Sequence, residues 1–434
     1  MKCNLFLVLA MSGVLASALP GFGQTGADSE APKLFEQAQA LAKEKKLTEA
    51  IRALRKAVEL APANDKYLAV LSDLEREAGH FTDGLEHARR AIAINDKVAV
   101  YYILATANAY LNQDLQQARG YCQKALQLSS ADSSQGSYHD AKLLEGFLVK
   151  RTYTITWTLD PSKGKLTGDT LSIALPKGDL PYQRVAYEVA GAKSHRLVKS
   201  EANDLLQVVP QGTRPITLVT RITVQPYSYK KELLSQNRMA PPREARTYLG
   251  QSDGIDPSSP KLSRIATSLK GGDSVATVKN IMTWMQKNIT YKNETSSIWK
   301  LDFKTADDIL GRGHAECRGY TILFVALCRA AGVPARPVWG LAMLPPKPES
   351  PGGDYSSHNF AEVYIPGSGW IPVDPQKPET LGWLPTNVLR IFMDARRNAS
   401  SLENLPLINL LAMNGAKVKV EEARAALPLS RSAP

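Results

Sequence analysis

Three residues far apart in the chain have the types that covalent acyl chemistry needs: Cys317, His358 and Asp374. Cys317 ends a polar, glycine-containing stretch, Gly313-His314-Ala315-Glu316, and the apolar run Thr321-Ile322-Leu323-Phe324-Val325-Ala326-Leu327 follows it. This pattern puts a cysteine at a helix N-terminus. There, unpaired backbone N–H groups and the positive end of the helix dipole favour thiolate over thiol. By position alone, a small buried apolar cysteine fits equally well. The two readings separate downstream, where strands at 358–365 and 369–375 are joined by Pro366-Gly367-Ser368. His358 opens the first strand and Asp374 closes the second, so a hairpin brings imidazole and carboxylate to the same end of a sheet. The carboxylate can hold the imidazole tautomer and orientation while the other ring nitrogen faces a thiol on the adjacent helix tip. That is the nucleophile, base and orienter of acyl transfer.

The elements around these residues follow from pattern and punctuation. A short helix covers 262–269. Asp273 caps a second, with Val275, Val278, Ile281, Met282, Met285 and Ile289 on one face. A third short helix, 305–310, leads through Gly311-Arg312-Gly313 to the cysteine. The Cys317 helix stops at Gly332, with Pro334 beyond, and a strand follows over 335–341. A Pro/Gly-rich loop, 345–356, is of the kind that borders sites. His314 lies too near the helix tip to aim its ring at the thiol, and is expected as a groove residue or a modifier of the thiol. A zinc site from His314, Cys317, Cys328 and His358 lacks Cys-x-x-Cys and His-x-x-x-His spacing, so neither metal nor other cofactor is expected.

Several blocks together resemble the transglutaminase-like domain: Cys317-Arg318-Gly319-Tyr320, Leu327-Cys328-Arg329-Ala330-Ala331-Gly332-Val333-Pro334-Ala335-Arg336, His358 with Ala361-Glu362-Val363-Tyr364, and Gly369-Trp370 through Val373-Asp374-Pro375. The resemblance covers 260–375, within a catalytic core drawn at 241–395. It implies a papain-like α+β fold and a triad of Cys317, His358 and Asp374. It further implies attack of the thiolate on an amide carbonyl, a thioester, departure of an amine with a proton from His358, and resolution by water or a second amine. The Cys317 N–H is then the first oxyanion donor, a contribution of about 3 kcal/mol in comparable sites. Trp299, which precedes the nucleophile loop, reads first as a core aromatic and is the candidate second donor. Trp339 and Trp370 read as core or groove wall. Many members carry Trp two positions after the histidine; Phe360 stands there in this chain and keeps an apolar wall.

Two further regions precede this core. Over 33–149, Ala57-Val58-Glu59-Leu60 recurs as Ala91-Ile92-Ala93-Ile94 and Ala125-Leu126-Gln127-Leu128, a period of 34. Ala50, Gly84 and Ala118 keep that phase, as do Leu47, Phe81 and Leu115. Period and small/large pattern resemble the tetratricopeptide repeat, with copies at 33–64, 67–98 and 101–130 and a capping helix at 138–149. Such an array either binds a peptide or protein partner or positions the next domain. Over 150–235 the period changes to two: Tyr153, Ile155, Trp157 and Leu159 alternate with threonines. Further strands are expected at 170–175, 183–189, 205–209 and 216–225, which gives an antiparallel β-sandwich-like domain.

The chain has 434 residues and a formal net charge of +11, enough length for two or three domains. No run of five Lys or Arg occurs, which argues against nucleic acid as a partner. Lys2 precedes an apolar run over 5–19 broken by Pro20-Gly21, a secretory signal peptide taken to end at Gly23. A periplasmic or secreted chain with no integral membrane segment after cleavage is expected. Cys122, Cys317 and Cys328 then remain; the last two, about 16 Å apart along one helix, cannot bridge. The tail, 396–434, receives no role. The expected function is an exported thiol enzyme acting on amide bonds of peptides or proteins, as a peptidase or amidase. A protein-glutamine cross-linking transglutaminase and a non-catalytic scaffold that binds proteins through its repeats are the alternatives.

Overall fold

The computed structural model describes residues 30–129, 136–160, 170–199, 203–230, 240–252, 254–292, 305–343, 355–377, 380–393 and 417–424. The segment at 1–23 expected to be a signal peptide, Trp299, most of the loop at 345–356 and a helical stretch expected at 405–412 lie outside the described residues. The chain divides between Val149 and Lys150 into two compact units.

The first unit is a helical array. It runs α1 (Glu30–Lys43), α2 (Leu47–Leu60), α3 (Asp65–Glu77), α4 (Phe81–Ile94), α5 (Ala99–Leu111), α6 (Leu115–Ser129) and α7 (Gly136–Leu148). The helices pair as α1/α2, α3/α4 and α5/α6, and α7 packs on α5 and α6. The small residues at the repeated phases explain the pairing: Ala50, Ala57, Ala91, Ala118 and Ala125 are fully buried. Gly84 takes the same place in the second pair, where a Cβ would lie 2.5 Å from Asn108 Oδ1. Asn64 caps α3 by accepting from the N–H groups of Lys66 and Tyr67, and Tyr67 stacks on Phe35 at 4.7 Å. The array is thus a tetratricopeptide-type stack of three helix pairs and a closing helix.

The second unit begins with β1 (Arg151–Leu159), β2 (Leu171–Leu175), β3 (Gln183–Ala190), β4 (Ala192–Lys199), β5 (Asp204–Pro210) and β6 (Ile216–Val224). The helices α8 (Arg243–Arg246), α9 (Pro260–Leu269) and α10 (Ser274–Asn288) follow, then β7 (Thr290–Tyr291), α11 (Ala306–Arg312), β8 (His314–Ala315) and α12 (Cys317–Ala330). Strands β9 (Ala335–Met343), β10 (Tyr355–Ile365), β11 (Gly369–Val373), β12 (Val388–Met393) and β13 (Lys417–Arg424) complete it. Two antiparallel sheets, ordered β13-β1-β6-β3 and β2-β5-β4, enclose the alternating residues of β1, all buried, with Trp157 Nε1 donating to Thr220 Oγ1 at 3.2 Å. Two strands here were not expected from the sequence. β4 is largely exposed along its length, and β13 belongs to the tail that the sequence left without a role; it pairs with β1 from Arg151↔Arg424 to Thr158↔Lys417.

The third sheet, ordered β11-β10-β9-β12, positions the site. Leu341, Met343, Leu389 and Ile391 from it join the buried cluster of the sandwich, so the two β regions share one core. α12 packs against β9 and β10, with α9, α10 and α11 around it. Its residues from Gly319 to Arg329 are all buried, which is why that stretch is apolar without helical periodicity. Among the described residues, no helix is long and apolar enough to cross a membrane.

Candidate active site

The approach to the nucleophile is fixed before α12 begins. Asp273 caps α10 through Ala276 N–H at 2.7 Å, and Thr305 and Asp308 form a reciprocal capping box on α11. α11 ends at Gly313 in the left-handed region, φ +66°, and the chain turns there into β8. β8 pairs in parallel with β7: Thr290 N–H donates to the Gly313 carbonyl at 2.8 Å and Lys292 N–H to that of Ala315 at 3.0 Å. The Tyr320 hydroxyl donates to the Ile289 carbonyl from within α12. Loop and helix tip are thereby tied to the same two-stranded ladder, and Cys317 is the first helical residue after it.

The base and its partner come from the hairpin. β10 and β11 pair from Ala361↔Val373 to Ile365↔Gly369. Continued one step, that register sets Asp374 opposite Phe360 and diagonal to His358, on the same face. The diagonal is closed by a hydrogen bond of 2.9 Å between His358 Nε2 and Asp374 Oδ2. Both residues are buried. Asp374 is held in turn: its N–H donates to Thr380 Oγ1 at 2.8 Å, and Gln376 N–H donates to its Oδ1 at 3.1 Å. Phe360 is fully buried, its ring roughly parallel to the imidazole with centroids 6.4 Å apart.

With Nε2 on the carboxylate, Nδ1 is left to face the thiol of Cys317. The electrostatics favour a thiolate–imidazolium pair. Burial pushes the Cys317 thiol up, but the hydrogen bond and charge of His358, followed by Asn359, outweigh it and hold the thiol below its ordinary value. Burial pulls His358 down, yet the charge and hydrogen bond of Asp374, then Cys317, push it up to about 10. The two other cysteines go the opposite way: burial outweighs the nearby cations Lys142 and Arg329, pushes the Cys122 thiol up to about 12 and raises that of Cys328.

The structure therefore brings Cys317, His358 and Asp374 together from a helix tip and two strands. His314 is not part of that constellation; its Nδ1 lies 3.0 Å from the Arg312 carbonyl. Trp370 lies under the guanidinium of Arg336, 3.8 Å from ring centroid to Cζ, and Trp339 packs on the sandwich core. Two residues at the site had not been singled out in the sequence. Asn359 approaches Cys317 Sγ with Nδ2 at 3.8 Å, and its only signal was a polar residue of low strand propensity beside the histidine. Thr380 had none.

Residues 263–375 match the profile of the transglutaminase-like superfamily. The chain thus carries a transglutaminase-like domain behind its tetratricopeptide repeats. Among solved structures, a protein from Cytophaga hutchinsonii provisionally described as a cysteine protease is similar at 16% identity and a TM-score of 0.40, over 64% of this chain and 91% of that one. The tetratricopeptide-repeat domain of Arabidopsis OM64 is similar at 20% identity and a TM-score of 0.25, over 27% and 93%. The Yersinia enterocolitica type III secretion translocator chaperone SycD is similar at 14% identity and a TM-score of 0.26, over 28% and 94%. No curated protein matches the chain.

Proposed function

We propose that this protein is an exported thiol enzyme that takes acyl groups from amide bonds of peptides or proteins, and that water resolves the acyl-enzyme. One observation carries the reading: Cys317, at a helix tip, faces an imidazole that Asp374 holds through a 2.9 Å hydrogen bond, and this arrangement lowers the thiol and raises the imidazole, which favours thiolate and imidazolium together. In that state sulfur is the nucleophile and His358 already holds the proton the leaving amine requires. Sγ bonds to the carbonyl carbon, and the carbonyl electrons move to oxygen. When they return, the C–N bond breaks and the amine leaves with the proton from Nδ1. His358, now neutral, takes a proton from water as water attacks the thioester and keeps it, so that the C–S bond breaks with sulfur departing as thiolate. The acyl group ends as a carboxylic acid and the pair is regenerated.

Export rests on the apolar run at 5–19 and the Pro20-Gly21 break after it. The array would present a peptide or protein, since repeats of this kind build extended binding surfaces.

The reading is tested with iodoacetamide and with p-nitrophenyl acetate on wild type and Cys317→Ala. Wild type is expected to alkylate and acylate at Cys317 near neutral pH, and the variant to do neither. Equal labelling of the two would remove Cys317 as the reactive thiol. Release of peptide fragments, against incorporation of a primary amine into a glutamine peptide, then separates hydrolysis from cross-linking.

A further inference from the structure

Acyl transfer at Cys317 needs a second donor for the oxyanion besides the Cys317 N–H, and the described residues offer one on the strand that carries the base. β10 pairs with β9 along Tyr355 to Val363, but with β11 only from Ala361 onward. The edge of β10 that β11 would cover is therefore unladdered at His358 and Asn359, and Cys317 stands beside it. Adjacent strand residues send their side chains to opposite faces. Imidazole and carboxamide nevertheless both reach Cys317 Sγ, so the sulfur sits at the strand edge with one group on either side.

We propose that Asn359 is a catalytic residue whose Nδ2–H completes the oxyanion hole with the Cys317 backbone N–H; this rests on the acyl-transfer reading above. The geometry favours it in two ways. Oxygen and leaving nitrogen diverge from the acyl carbon; with the nitrogen turned to the imidazole, the oxygen turns to the carboxamide. At 3.8 Å, Nδ2 is also a slack donor to sulfur. It therefore contributes little to the resting thiolate and is free to tighten on an oxygen one bond beyond, which is the differential interaction that accelerates a reaction. The backbone N–H of Asn359, which also favours the thiolate, survives every side-chain substitution.

The experiment compares two reactions of the same sulfur in wild type, Asn359→Ala and Asn359→Leu. Alkylation by iodoacetamide forms no oxyanion; acylation by p-nitrophenyl acetate does. Both variants are expected to alkylate within about twofold of the wild-type rate, with the thiol limb of the pH dependence raised only slightly by loss of the carboxamide's slack contact, which also reports an intact site. Their acylation rate is expected to fall about 10²- to 10³-fold, as on loss of one oxyanion donor elsewhere. A parallel fall in both reactions would make Asn359 a support of the thiolate and overturn the proposal, and so would unchanged acylation. Absence of Cys317-dependent acylation in wild type would overturn the acyl-transfer reading itself and this inference with it.

Discussion

His358 and Glu362 stand four residues apart on β10, on the same face, both buried, and both bonded to charged groups. They are tuned in opposite senses. Glu362 lies between two guanidiniums: Arg336 Nε donates to Oε2 and Arg390 Nε to Oε1, each at 2.8 Å. Burial alone would raise it, but Arg390 and Arg336 pull it down to about 2. Neither arginine can release its proton, so this cluster is electrostatically inert through the physiological range. His358 has one fixed partner, Asp374, and one that itself titrates, Cys317. Burial is common to both ends of the strand. What separates a structural charge from a working one is whether a neighbour can exchange the proton.

The largest effect should come from removing the fixed partner at the working end. Asp374→Asn withdraws the charge that holds His358 up, so the imidazolium loses its proton at lower pH. The thiol then loses its cation and rises toward its ordinary value. Acyl transfer needs thiolate and imidazolium together. Its bell-shaped pH profile should narrow from both sides, with the alkaline limb moving down from about 10 and the acid limb moving up. A rate loss of about 10²-fold or more at the optimum is expected, since the tautomer is also released. An unmoved alkaline limb would show that Asp374 does not set the imidazole.

The inert end should respond in stability alone. Glu362→Gln leaves two buried guanidiniums uncompensated and should cost about 3–5 kcal/mol, read as a lower Tm or denaturant midpoint. Alkylation of the folded variant at Cys317 should stay at the wild-type rate. Because the carboxyl is depressed in the folded state, its contribution is complete above its unfolded value and is lost as pH falls toward about 2. The gap between wild type and variant should therefore close on the acid side. Replacing Arg336, Glu362 and Arg390 together with apolar residues of like size should recover most of the loss. If Glu362→Gln slowed alkylation, the two ends of β10 would be coupled and the contrast between them would fail.

The same contrast marks what could be read before the structure. The working end was legible because its grammar is local: a loop-to-helix switch at Cys317, and a hairpin whose turn residues fix which ends meet. The 34-residue array was legible because small residues recur in phase, and Gly84 shows why, with Asn108 filling the space of its missing side chain. The inert end was not legible. Glu362 faces Arg336 through the β9/β10 register, and Arg390 arrives from β12, whose pairing with β9 shifts just beyond it. β13 was hidden for a similar reason: Lys417-Val418-Lys419-Val420 carries its partner's address only in β1, more than two hundred residues earlier. Asn359 was passed over because an open strand edge is a property of what fails to pair. Trp299, the donor named from the sequence, lies outside the described residues.

The smallest effect tests how far the working end extends. Thr380 is fully buried, and its Oγ1 accepts the Asp374 N–H at 2.8 Å while its own hydroxyl lies 2.6 Å from the Lys377 carbonyl and 3.0 Å from that of Asp374. Thr380→Val keeps the shape and leaves the Asp374 N–H without a partner, a cost of about 1–3 kcal/mol. The carboxylate itself remains, so His358 should keep its charge and the limits of the pH bell should hardly move. What changes is orientation: Oδ2 is aimed at Nε2 by a turn that has lost one of its ties. The expected result is a rate loss of roughly a few-fold, with bell limits close to those of wild type. If Thr380→Val instead narrowed the bell as far as Asp374→Asn does, the hydroxyl would belong to the titrating system, and the boundary between exchanging and inert partners would lie one residue further out than the hydrogen bonds now draw it.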